Sequence, residues 1–412
     1  MENIENKVPN GENQDTQNSS FFSENVSSSN GLEAYPRLRF KAYLDAWNIS
    51  PLKDLASYGN KRTSVNKRHF ISTENMLQNF QGIEQYVDET VVSGVKFEKN
   101  DILLANIRPY LRKVWYATFD GAASTDVLAI HTNKQNSLFL KYIIANDKFI
   151  DYVMGAAKGC KMPRGDKNFI MDYKVGYPSL PEQQKIANFL SLVDQRIEKQ
   201  RQLVEALKKY KRGLLYLFFE TKKPNKKLSE LIKIGKAGGT PLSSNPNYYN
   251  GKIPFLSISD MTNQGKYLYS TDKYISDEGL SNSAAWLVPI NSLIISMYAS
   301  YGLVAINKIE LSTSQAMFNI IPQEPNDIEF LYYYLSYLSF TGYYDKMVST
   351  GTQPNLNAEK IKNIPIYIPL DKKEKEKISN MLLTFEDKEK QAQKILSNLE
   401  QLKNGLLQQM FI

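Results

Sequence analysis

Basic side chains in the first half of the chain occur in short loop-like segments, several of them beside glycine, asparagine or tyrosine. Lysine and arginine displace condensed counterions when they contact phosphates, and an arginine can pair bidentately with guanine in the major groove. This chemistry is typical of a DNA-binding surface. The residues that we predict to bind DNA in this half are Lys61, Arg62, Lys67, Arg68, Arg108, Arg112, Lys113, Lys161 and Arg164.

The loops of the second half are poorer in charge and richer in hydroxyl, amide and tyrosine side chains. Asparagine and glutamine fit the edge of adenine, so these loops predict a DNA half-site that is richer in A and T. The candidates here are Thr240, Tyr248, Tyr249, Tyr298, Tyr301, Gln353, Asn355 and Asn357. Any single candidate has the alternative interpretation of an ordinary solvated loop residue. Even in true complexes, half or more of the protein–DNA contacts go only to the phosphate–sugar backbone and read no base.

Patterns that would support catalysis are nearly missing. The run Asn245-Pro246-Asn247-Tyr248 resembles the Asn-Pro-Pro-Tyr element with which amino-methyltransferases hold an extruded adenine, but its third residue is asparagine. The sequence has no glycine-rich loop for S-adenosylmethionine and no phosphate loop for ATP. One cysteine and two histidines are too few for a cysteine zinc site or a histidine-rich metal centre. We therefore predict no catalytic, cofactor-binding or metal-binding residues.

Two long amphipathic segments must position the candidate loops. Residues 186–219 carry apolar side chains at alternating steps of four and three, as in a coiled coil, with Gln200 and Lys211 as polar exceptions. Residues 378–411 repeat the pattern and keep the seam lysine as Lys403. This repeat indicates an internal duplication with a period of about 190 residues.

The duplication begins before the helices, since Leu52–Leu55 (LKDL) resembles Leu228–Leu231 (LSEL). Apolar runs such as Ile102–Leu104 predict strands, and Leu138–Met154 predicts a helix. Each half is thus a mixed α and β domain followed by one long helix. The predicted order is a first domain at 36–181, a long helix at 182–222, a second domain at 223–370 and a second long helix at 371–412.

The composition fits a basic protein with two folded domains. Of its 412 residues, 42% are apolar, and the net charge is +8. Residues 1–35 are acidic and rich in polar side chains, which predicts a disordered tail. This tail carries a charge of −5, which leaves +13 for the remainder and favours polyanionic partners. No apolar segment has the length of a membrane-spanning helix and no signal peptide is recognisable, so we expect a cytoplasmic protein.

From about Tyr35 onward the chain resembles the specificity subunits of type I restriction-modification systems. The resemblance is carried by PRLRF with Trp47, by YPSLPEQQKIANFL, and by GGTPLSSNPNYYNGKIPFLSISD, ISDEGLSNSAAWLVP, STGTQPNLN and IPIYIPL. It implies two target recognition domains, each reading one part of a split double-stranded DNA sequence. It also implies partners that dock on the long helices: two methyltransferase subunits that bind S-adenosylmethionine, and restriction subunits that use ATP and magnesium.

The two helices begin differently. The first opens with Pro181-Glu182-Gln183, whereas the second opens with Asp371-Lys372-Lys373-Glu374-Lys375, so we expect the second to start more loosely.

The paired glycines and the seam lysines each have two possible interpretations. Gly238 and Gly239 either let the backbone approach a phosphate or form a plain turn. The seam lysines either specify register or a partner, or extend to solvent.

The order domain, helix, domain, helix predicts an α+β fold. Two duplicated mixed α/β recognition domains are expected to be separated by two long antiparallel coiled-coil helices, with pseudo-two-fold symmetry. We predict a non-catalytic DNA-binding specificity subunit that directs adenine methylation and restriction by its partners. A stand-alone DNA adenine methyltransferase is disfavoured by the missing cofactor loops. A structural coiled-coil protein is disfavoured because loop-rich domains make up most of the chain.

Overall fold

The computed structural model describes residues 22–24, 35–159, 161–298, 300–348 and 356–412. They form two compact units. Unit 1 contains the chain up to Lys199 together with Leu396–Ile412, and unit 2 contains Gln200–Ile395. Each unit therefore combines one globular domain with a part of each long helix.

Two four-stranded sheets form the centre of unit 1, with strand orders β5-β7-β10-β6 and β4-β11-β8-β9. All pairs in them are antiparallel except β6 with β10. The strands are β1 (Phe22–Glu24), β2 (Leu38–Phe40), β3 (Asn48–Pro51), β4 (Ala56–Tyr58), β5 (Arg62–Asn66), β6 (Phe70–Ile71), β7 (Val91–Phe97), β8 (Ile102–Ala105), β9 (Val114–Tyr116), β10 (Gly121–Ala123), β11 (Val127–Thr132) and β12 (Lys174–Tyr177). The helices are α1 (Leu52–Leu55), α2 (Ser137–Ile144), α3 (Asp147–Gly155), α4 (Lys167–Met171) and the long α5 (Leu180–Phe219), which continues into unit 2.

Unit 2 has a five-stranded sheet in the order β14-β21-β18-β19-β16 and a three-stranded sheet in the order β17-β15-β20. Its strands are β13 (Lys226–Lys227), β14 (Ile232–Ala237), β15 (Tyr249–Leu256), β16 (Tyr267–Leu268), β17 (Lys273–Ile275), β18 (Leu293–Ser296), β19 (Val304–Asn307), β20 (Ser312–Thr313), β21 (Met317–Pro322) and β22 (Pro365–Ile366). Its helices are α6 (Ile258–Gln264), α7 (Asp277–Ser281), α8 (Ile328–Phe340), α9 (Ala358–Lys362) and the long α10 (Lys372–Met410), which continues into unit 1.

The predicted heptad seam is the buried face of the long helices. In unit 1, Ile186 and Leu190 are almost fully buried in the core. In unit 2 the two helices run antiparallel, because Gln200 contacts Ala392 and Tyr210, further along α5, stacks on Phe385, which lies earlier in α10. The predicted α+β fold with duplicated domains and two long helices is confirmed.

The polar seam residues have partners inside the chain. The buried Gln200 donates from Nε2 to the carbonyl of Ala392 at 2.9 Å. Lys211 pairs with Glu389 at 2.6 Å, and Lys403 pairs with Asp194 at 2.6 Å. These contacts favour the interpretation in which the seam lysines fix the register of the helices.

The C-terminal end of each long helix, with the residue that follows α10, belongs to a hydrophobic core. Leu407 and Phe411 are buried in the unit 1 core, where the Phe411 ring lies 5.4 Å from that of Phe139. Leu215 and Phe219 occupy the corresponding place in the unit 2 core. The core of each unit is thus completed by the end of the helix that leaves the other half of the sequence.

The two long helices start with different but equally specific contacts. In α5, Glu182 forms a two-pronged, buried ion pair with Arg39 at 2.8 Å, and Gln183 is buried beside it. In α10, Lys375 takes the position of Gln183 and forms a buried ion pair with Asp327. The expectation that α10 starts more loosely is therefore wrong, because this ion pair replaces the contacts of the first helix.

Two further expectations need correction. The predicted helix Leu138–Met154 is two helices, α2 and α3, because Asn146 interrupts it and accepts a hydrogen bond from the Lys148 N–H as the cap of α3. Most of the predicted disordered tail, residues 1–35, lies outside the described residues. Within that tail, however, Phe22–Glu24 is a strand that pairs with Leu38–Phe40, so the expectation of disorder does not hold for these three residues.

Candidate nucleic-acid interface

Two of the predicted site segments in unit 1 lie against each other. Residues 106–113 follow β8, and residues 158–159 and 161–165 precede α4. The N–H of Gly165 donates to the carbonyl of Asn106 at 3.1 Å, and the N–H of Arg108 donates to the carbonyl of Pro163 at 2.8 Å. We call these segments the unit 1 loop pair. They carry the predicted residues Arg108, Arg112, Lys113, Lys161 and Arg164.

The same loop contact occurs in unit 2. There the N–H of Leu356 donates to the carbonyl of Met297 at 2.9 Å. One constant offset relates both positions to their unit 1 counterparts, since Met297 corresponds to Asn106 and Leu356 to Gly165. Strand β18 leads into residues 297–298 and 300–302 as β8 leads into residues 106–113, and these residues with 356–357 are the unit 2 loop pair. The duplication therefore builds a loop pair at the end of the corresponding strand in each unit.

Strained backbone fixes the shape of the unit 1 loop pair. Arg108 and Arg112 flank a 3-10 turn with φ angles of 51° and 54°, in the left-handed region. Asn79 and Phe80, on a neighbouring loop, have φ angles of 54° and 60°. The N–H of Phe80 donates to the carbonyl of Arg112 at 2.8 Å, which locks the two loops together. Each such residue costs about 1 kcal/mol or more, and strain of this kind is typical of functional sites.

Two arginines of the loop pair carry carboxylate partners at the surface. Arg112 pairs with Asp147 at 2.9 Å, and Arg164 pairs with Asp126 at 3.0 Å. Exposed ion pairs contribute about 0–1 kcal/mol, and salt screens them further. A phosphate group can therefore replace either carboxylate at little energetic cost.

A second basic group lies on and beside β5, which is an edge strand of its sheet. It consists of the predicted residues Lys61, Arg62, Lys67 and Arg68. Lys61 and Arg62 are exposed, and no described carboxylate pairs with either of them. They are therefore available to a polyanion without prior loss of an internal contact.

Lys67 and Arg68 are paired in this structure with a neighbouring acidic segment. The Lys67 ammonium lies 2.9 Å from Asp88, and Arg68 lies 2.5 Å from Glu89. The hydrogen bond from Lys67, together with the N–H of Thr90, lowers the pKa of Asp88 to about 2. Binding of a phosphate by Lys67 must therefore compete with a carboxylate that stays ionised at neutral pH.

In unit 2, packing explains the two adjacent glycines. A Cβ on Gly238 would lie 2.2 Å from the carbonyl oxygen of Thr313, and a Cβ on Gly239 would lie 2.2 Å from the carbonyl carbon of Ala284. Real Cβ atoms do not approach backbone so closely. Glycine at both positions is thus required by close contact inside the domain, which neither the phosphate nor the turn interpretation included.

The loop that follows these glycines gathers three predicted residues. The exposed Thr240 donates its hydroxyl to the side chain of Gln315. Tyr249 donates its hydroxyl to the carbonyl of Pro241 at 2.7 Å, and Tyr248 beside it is half-buried. Thr240 is therefore the most accessible of the three.

The unit 2 loop pair carries two predicted tyrosines and none of the predicted cations. Tyr298 is 38% exposed, and Tyr301 donates its hydroxyl to Asp345 at 2.7 Å. Asn357 accepts a hydrogen bond from the Lys360 N–H as the cap of α9, which leaves its amide nitrogen for other contacts. The predicted residues Gln353 and Asn355 lie outside the described residues.

Both loop-bearing domains match a known protein family. The profile of the type I restriction modification DNA specificity domain matches residues 45–209 and again residues 220–401. The chain belongs to this family. The two matches follow the duplication, one for each half of the sequence.

The type I restriction enzyme HindI specificity subunit of Haemophilus influenzae is 35% identical over 145 residues, which are 35% of this chain and 31% of that protein. The MjaIX specificity subunit of Methanocaldococcus jannaschii is 27% identical over 189 residues, which are 45% of this chain and 43% of that protein. The chain thus aligns with less than half the length of either relative. The crystal structure of a type I restriction-modification S subunit from M. genitalium shares the fold, with a TM-score of 0.58, 16% identity, and coverage of 92% of this chain and 99% of that one.

In this member of the specificity-domain family, Tyr110 is a further candidate that was not among the predicted site residues. Its side chain is 48% exposed between Arg108 and Arg112. The signal was present in the repeat, because the offset that relates the two loop pairs also relates Tyr110 to Tyr301. Extending the repeat alignment along the loop would have found it.

The described part of the chain lacks two kinds of feature. Among the described helices, none combines the length and apolar character that crossing a membrane requires. Within the same residues, histidine, cysteine, aspartate and glutamate side chains form no group of three that could hold a metal ion.

Proposed function

We propose that this chain is the DNA-binding specificity subunit of a type I restriction-modification complex and reads a bipartite double-stranded DNA target. The observation that carries the proposal is the repeated loop pair, joined by Gly165 and Asn106 in unit 1 and by Leu356 and Met297 in unit 2. Two copies of one scaffold with different side chains suit the reading of two different half-sites. The similarity to two type I restriction enzyme specificity subunits supports the same function.

The two half-sites are proposed to be read by different chemistry. Unit 1 offers arginine and lysine, which suit phosphates and guanine. Unit 2 offers hydroxyl, tyrosine and amide groups, which suit an A- and T-rich half-site. Binding of the unit 1 half-site should therefore depend more strongly on salt, since each phosphate neutralised by a cation contributes roughly 0.9 to the slope of log K against log salt.

The chain is proposed to be non-catalytic and to bind no cofactor of its own. The alternative, a stand-alone adenine methyltransferase, depended on Asn245-Pro246-Asn247-Tyr248. In the structure Asn245 accepts a hydrogen bond from the N–H of Asn247 at 3.1 Å and so caps a 3-10 turn. This local role accounts for the asparagine without an extruded base, which favours the specificity subunit over the enzyme.

We propose that two methyltransferase subunits dock on the long helices, and that restriction subunits join a larger complex in the cytoplasm. Both helices expose apolar side chains at matching positions of the repeat. Leu203 in α5 is 47% exposed and its counterpart Ile395 in α10 is 46% exposed; Tyr210 and Leu402 form a second such pair at 61% and 54%. A repeated apolar surface fits a partner that binds twice. In this proposal the methyltransferase subunits supply S-adenosylmethionine, and the restriction subunits use ATP and magnesium.

The experiment that tests this function compares the purified chain with the same chain plus its methyltransferase subunits. Only the mixture should transfer a labelled methyl group from S-adenosylmethionine to adenine, and it should do so at a split sequence. Mapping methylated adenines in a host with and without the chain identifies that sequence. Methyl transfer by the repurified chain alone would overturn the proposal.

A further inference from the structure

Arg108 differs from the other predicted cations of unit 1 because its guanidinium is partly enclosed and lacks a described carboxylate partner. Its φ angle is 51°, its N–H donates to the carbonyl of Pro163 at 2.8 Å, and its own carbonyl accepts the N–H of Leu111 at 2.9 Å. Its side chain is half-buried, and its Nε is enclosed without a hydrogen-bond partner among the described residues. Two hydrogen bonds thus hold the backbone of Arg108, and the root of its guanidinium is enclosed, before any ligand arrives.

Apart from Lys113, the other predicted cations of unit 1 are either paired with a carboxylate or exposed without one. Carboxylates hold Lys67, Arg68, Arg112 and Arg164, while Lys61, Arg62 and Lys161 are exposed without a described ion pair. Mobile or exchangeable cations suit phosphates, which recur along every duplex and carry no sequence information. A donor that is already partly enclosed loses less conformational entropy when it pairs with a base, so it suits base contact better than a fully exposed side chain.

Lys113 places a second positive charge near Arg108. The Lys113 ammonium donates to the carbonyl of Thr73 at 2.6 Å. Burial lowers the pKa of Lys113, and the neighbouring charge of Arg108 lowers it further. Neither residue has an ion-pair partner in the described part of the chain. Two cations side by side without an anion favour an electron-rich acceptor between or beyond them.

We propose that Arg108 reads a guanine in the half-site bound by unit 1, donating from its two Nη nitrogens to the O6 and N7 atoms of the base. This inference rests on the proposed function. Four of the five N–H donors of a guanidinium lie on the Nη nitrogens, so enclosure of Nε leaves the end-on pair available. The exposed cations Lys61, Arg62 and Lys161 then contact phosphates and set affinity rather than sequence.

The test replaces Arg108 by asparagine, which removes the guanidinium but tolerates the left-handed backbone better than most residues. Arg108→Lys keeps the positive charge but loses the planar guanidinium, which can donate two parallel hydrogen bonds. The matched control is Arg62→Gln, an exposed arginine of the same unit. Each full-length variant is produced with the methyltransferase subunits, methylated adenines are mapped, and binding to duplexes with each base of the half-site replaced in turn is measured.

For both Arg108 variants we expect one guanine of one half-site to become degenerate and the other half-site to stay unchanged. Affinity for the original sequence should fall roughly ten- to hundred-fold. Arg62→Gln should keep the sequence and weaken binding to all duplexes alike, with the salt slope reduced by roughly one. If Arg108→Asn abolishes methylation, the binding measurements still test the inference. Replacing the guanine must then weaken DNA binding by the wild type but not by the variant.

Three outcomes overturn the inference: an unchanged half-site in Arg108→Asn, changes in both half-sites, or behaviour identical to that of Arg62→Gln. Thermal unfolding of each variant confirms that it is folded. The proposed function fails separately, when the wild-type complex leaves no split methylation pattern that depends on this chain. A wild-type pattern without any guanine in the unit 1 half-site would overturn the role of Arg108 and leave the proposed function intact.

Discussion

Tyr142 donates a hydrogen bond of 2.8 Å to the carboxylate of Asp194 on the first long helix. Tyr333 makes the same contact, also of 2.8 Å, with Glu386 on the second. The two pairs occupy corresponding places in the repeat, so the duplication includes a polar link between each domain and the helix that follows it. The heptad pattern does not reveal this link, because neither acid is a seam position.

The first prediction concerns acid stability through Asp194. Burial disfavours its charge, but the ammonium groups of Lys141 and Lys403 outweigh that effect, so the pKa of Asp194 lies below its ordinary value. A carboxylate with a lowered folded-state pKa stabilises the fold above the unfolded-state pKa, about 3.9, and this contribution is lost as the pH falls through the folded-state value. We expect Asp194→Asn to lower the free energy of unfolding by about 1–3 kcal/mol at neutral pH.

Urea unfolding of both proteins between about pH 7 and pH 3 measures this contribution. The difference between wild type and variant should be constant at neutral pH and shrink below about pH 4. Asp172→Asn is the control, because Asp172 forms an exposed ion pair with Lys53 and should change stability by less than about 1 kcal/mol. A difference that persists unchanged at the acid end would contradict the role assigned to Asp194.

The second prediction concerns the start of α10. Lys375 and Asp327 form a buried ion pair, and removal of one partner from such a pair leaves an uncompensated charge. We expect Lys375→Ala to lower the free energy of unfolding by about 3–5 kcal/mol. Lys377→Ala, further along the helix and exposed, should change it by less than about 0.5 kcal/mol. Equal effects of the two substitutions in chemical denaturation would show that the ion pair does not hold the helix.

The repeat and the long helices could be predicted because periodicity is a local property of the sequence. The Lys375 contact could not, since Asp327 is distant in the sequence and only the folded domain brings it to the helix. A run of charges at a helix start predicts a solvated segment, and the buried pair overrides that expectation. The break at Asn146 was missed for the opposite reason, because a single capping residue is a small signal within a long apolar stretch.

The candidate site was predicted only in part. The DNA-binding chemistry of the unit 1 residues stays a prediction, and their types did not show that Arg108 is partly enclosed while Arg112 and Arg164 are paired with carboxylates. Strain at Arg108 also has no sequence signature, because arginine rarely adopts a positive φ angle. Gly239 shows the same limit, since a glycine required by packing reads like one required by a turn or a phosphate.

The third prediction separates packing from phosphate binding at Gly239. Because a Cβ there would lie 2.2 Å from the backbone of Ala284, we expect Gly239→Ala to lower the free energy of unfolding by about 1–3 kcal/mol or more. Gly213→Ala is the control: nothing lies within 4 Å of its Cβ position in α5, so it should stabilise the chain by about 1 kcal/mol. Thermal or urea unfolding measures the change in the free energy of unfolding for both variants. A Gly239→Ala variant of normal stability that had lost DNA binding would favour the phosphate interpretation instead.

The last prediction concerns exchange of the second recognition domain, Leu228–Pro369, for that of another family member. The two ends of this segment lie together, because Asn225 contacts the backbone N–H and carbonyl of Ile368 at 3.1 and 2.9 Å, and β13 pairs with β22. Backbone contacts of this kind persist whatever side chains the donor brings. The donor must, however, supply apolar residues against Leu215 and Phe219, which complete the unit 2 core.

We therefore expect a folded exchange variant to change one half of the methylated sequence and to leave the other half unaltered, because the unit 1 loop pair keeps every residue. Genome-wide mapping of methylated adenines, with the wild type and the donor protein alongside, measures both halves. A thermal unfolding midpoint within a few degrees of the wild type establishes that the new core is complete. A variant that is folded but reads a new sequence in both halves would show that the two units do not recognise DNA independently, and the modular function proposed for the duplicated loop pairs would then be wrong.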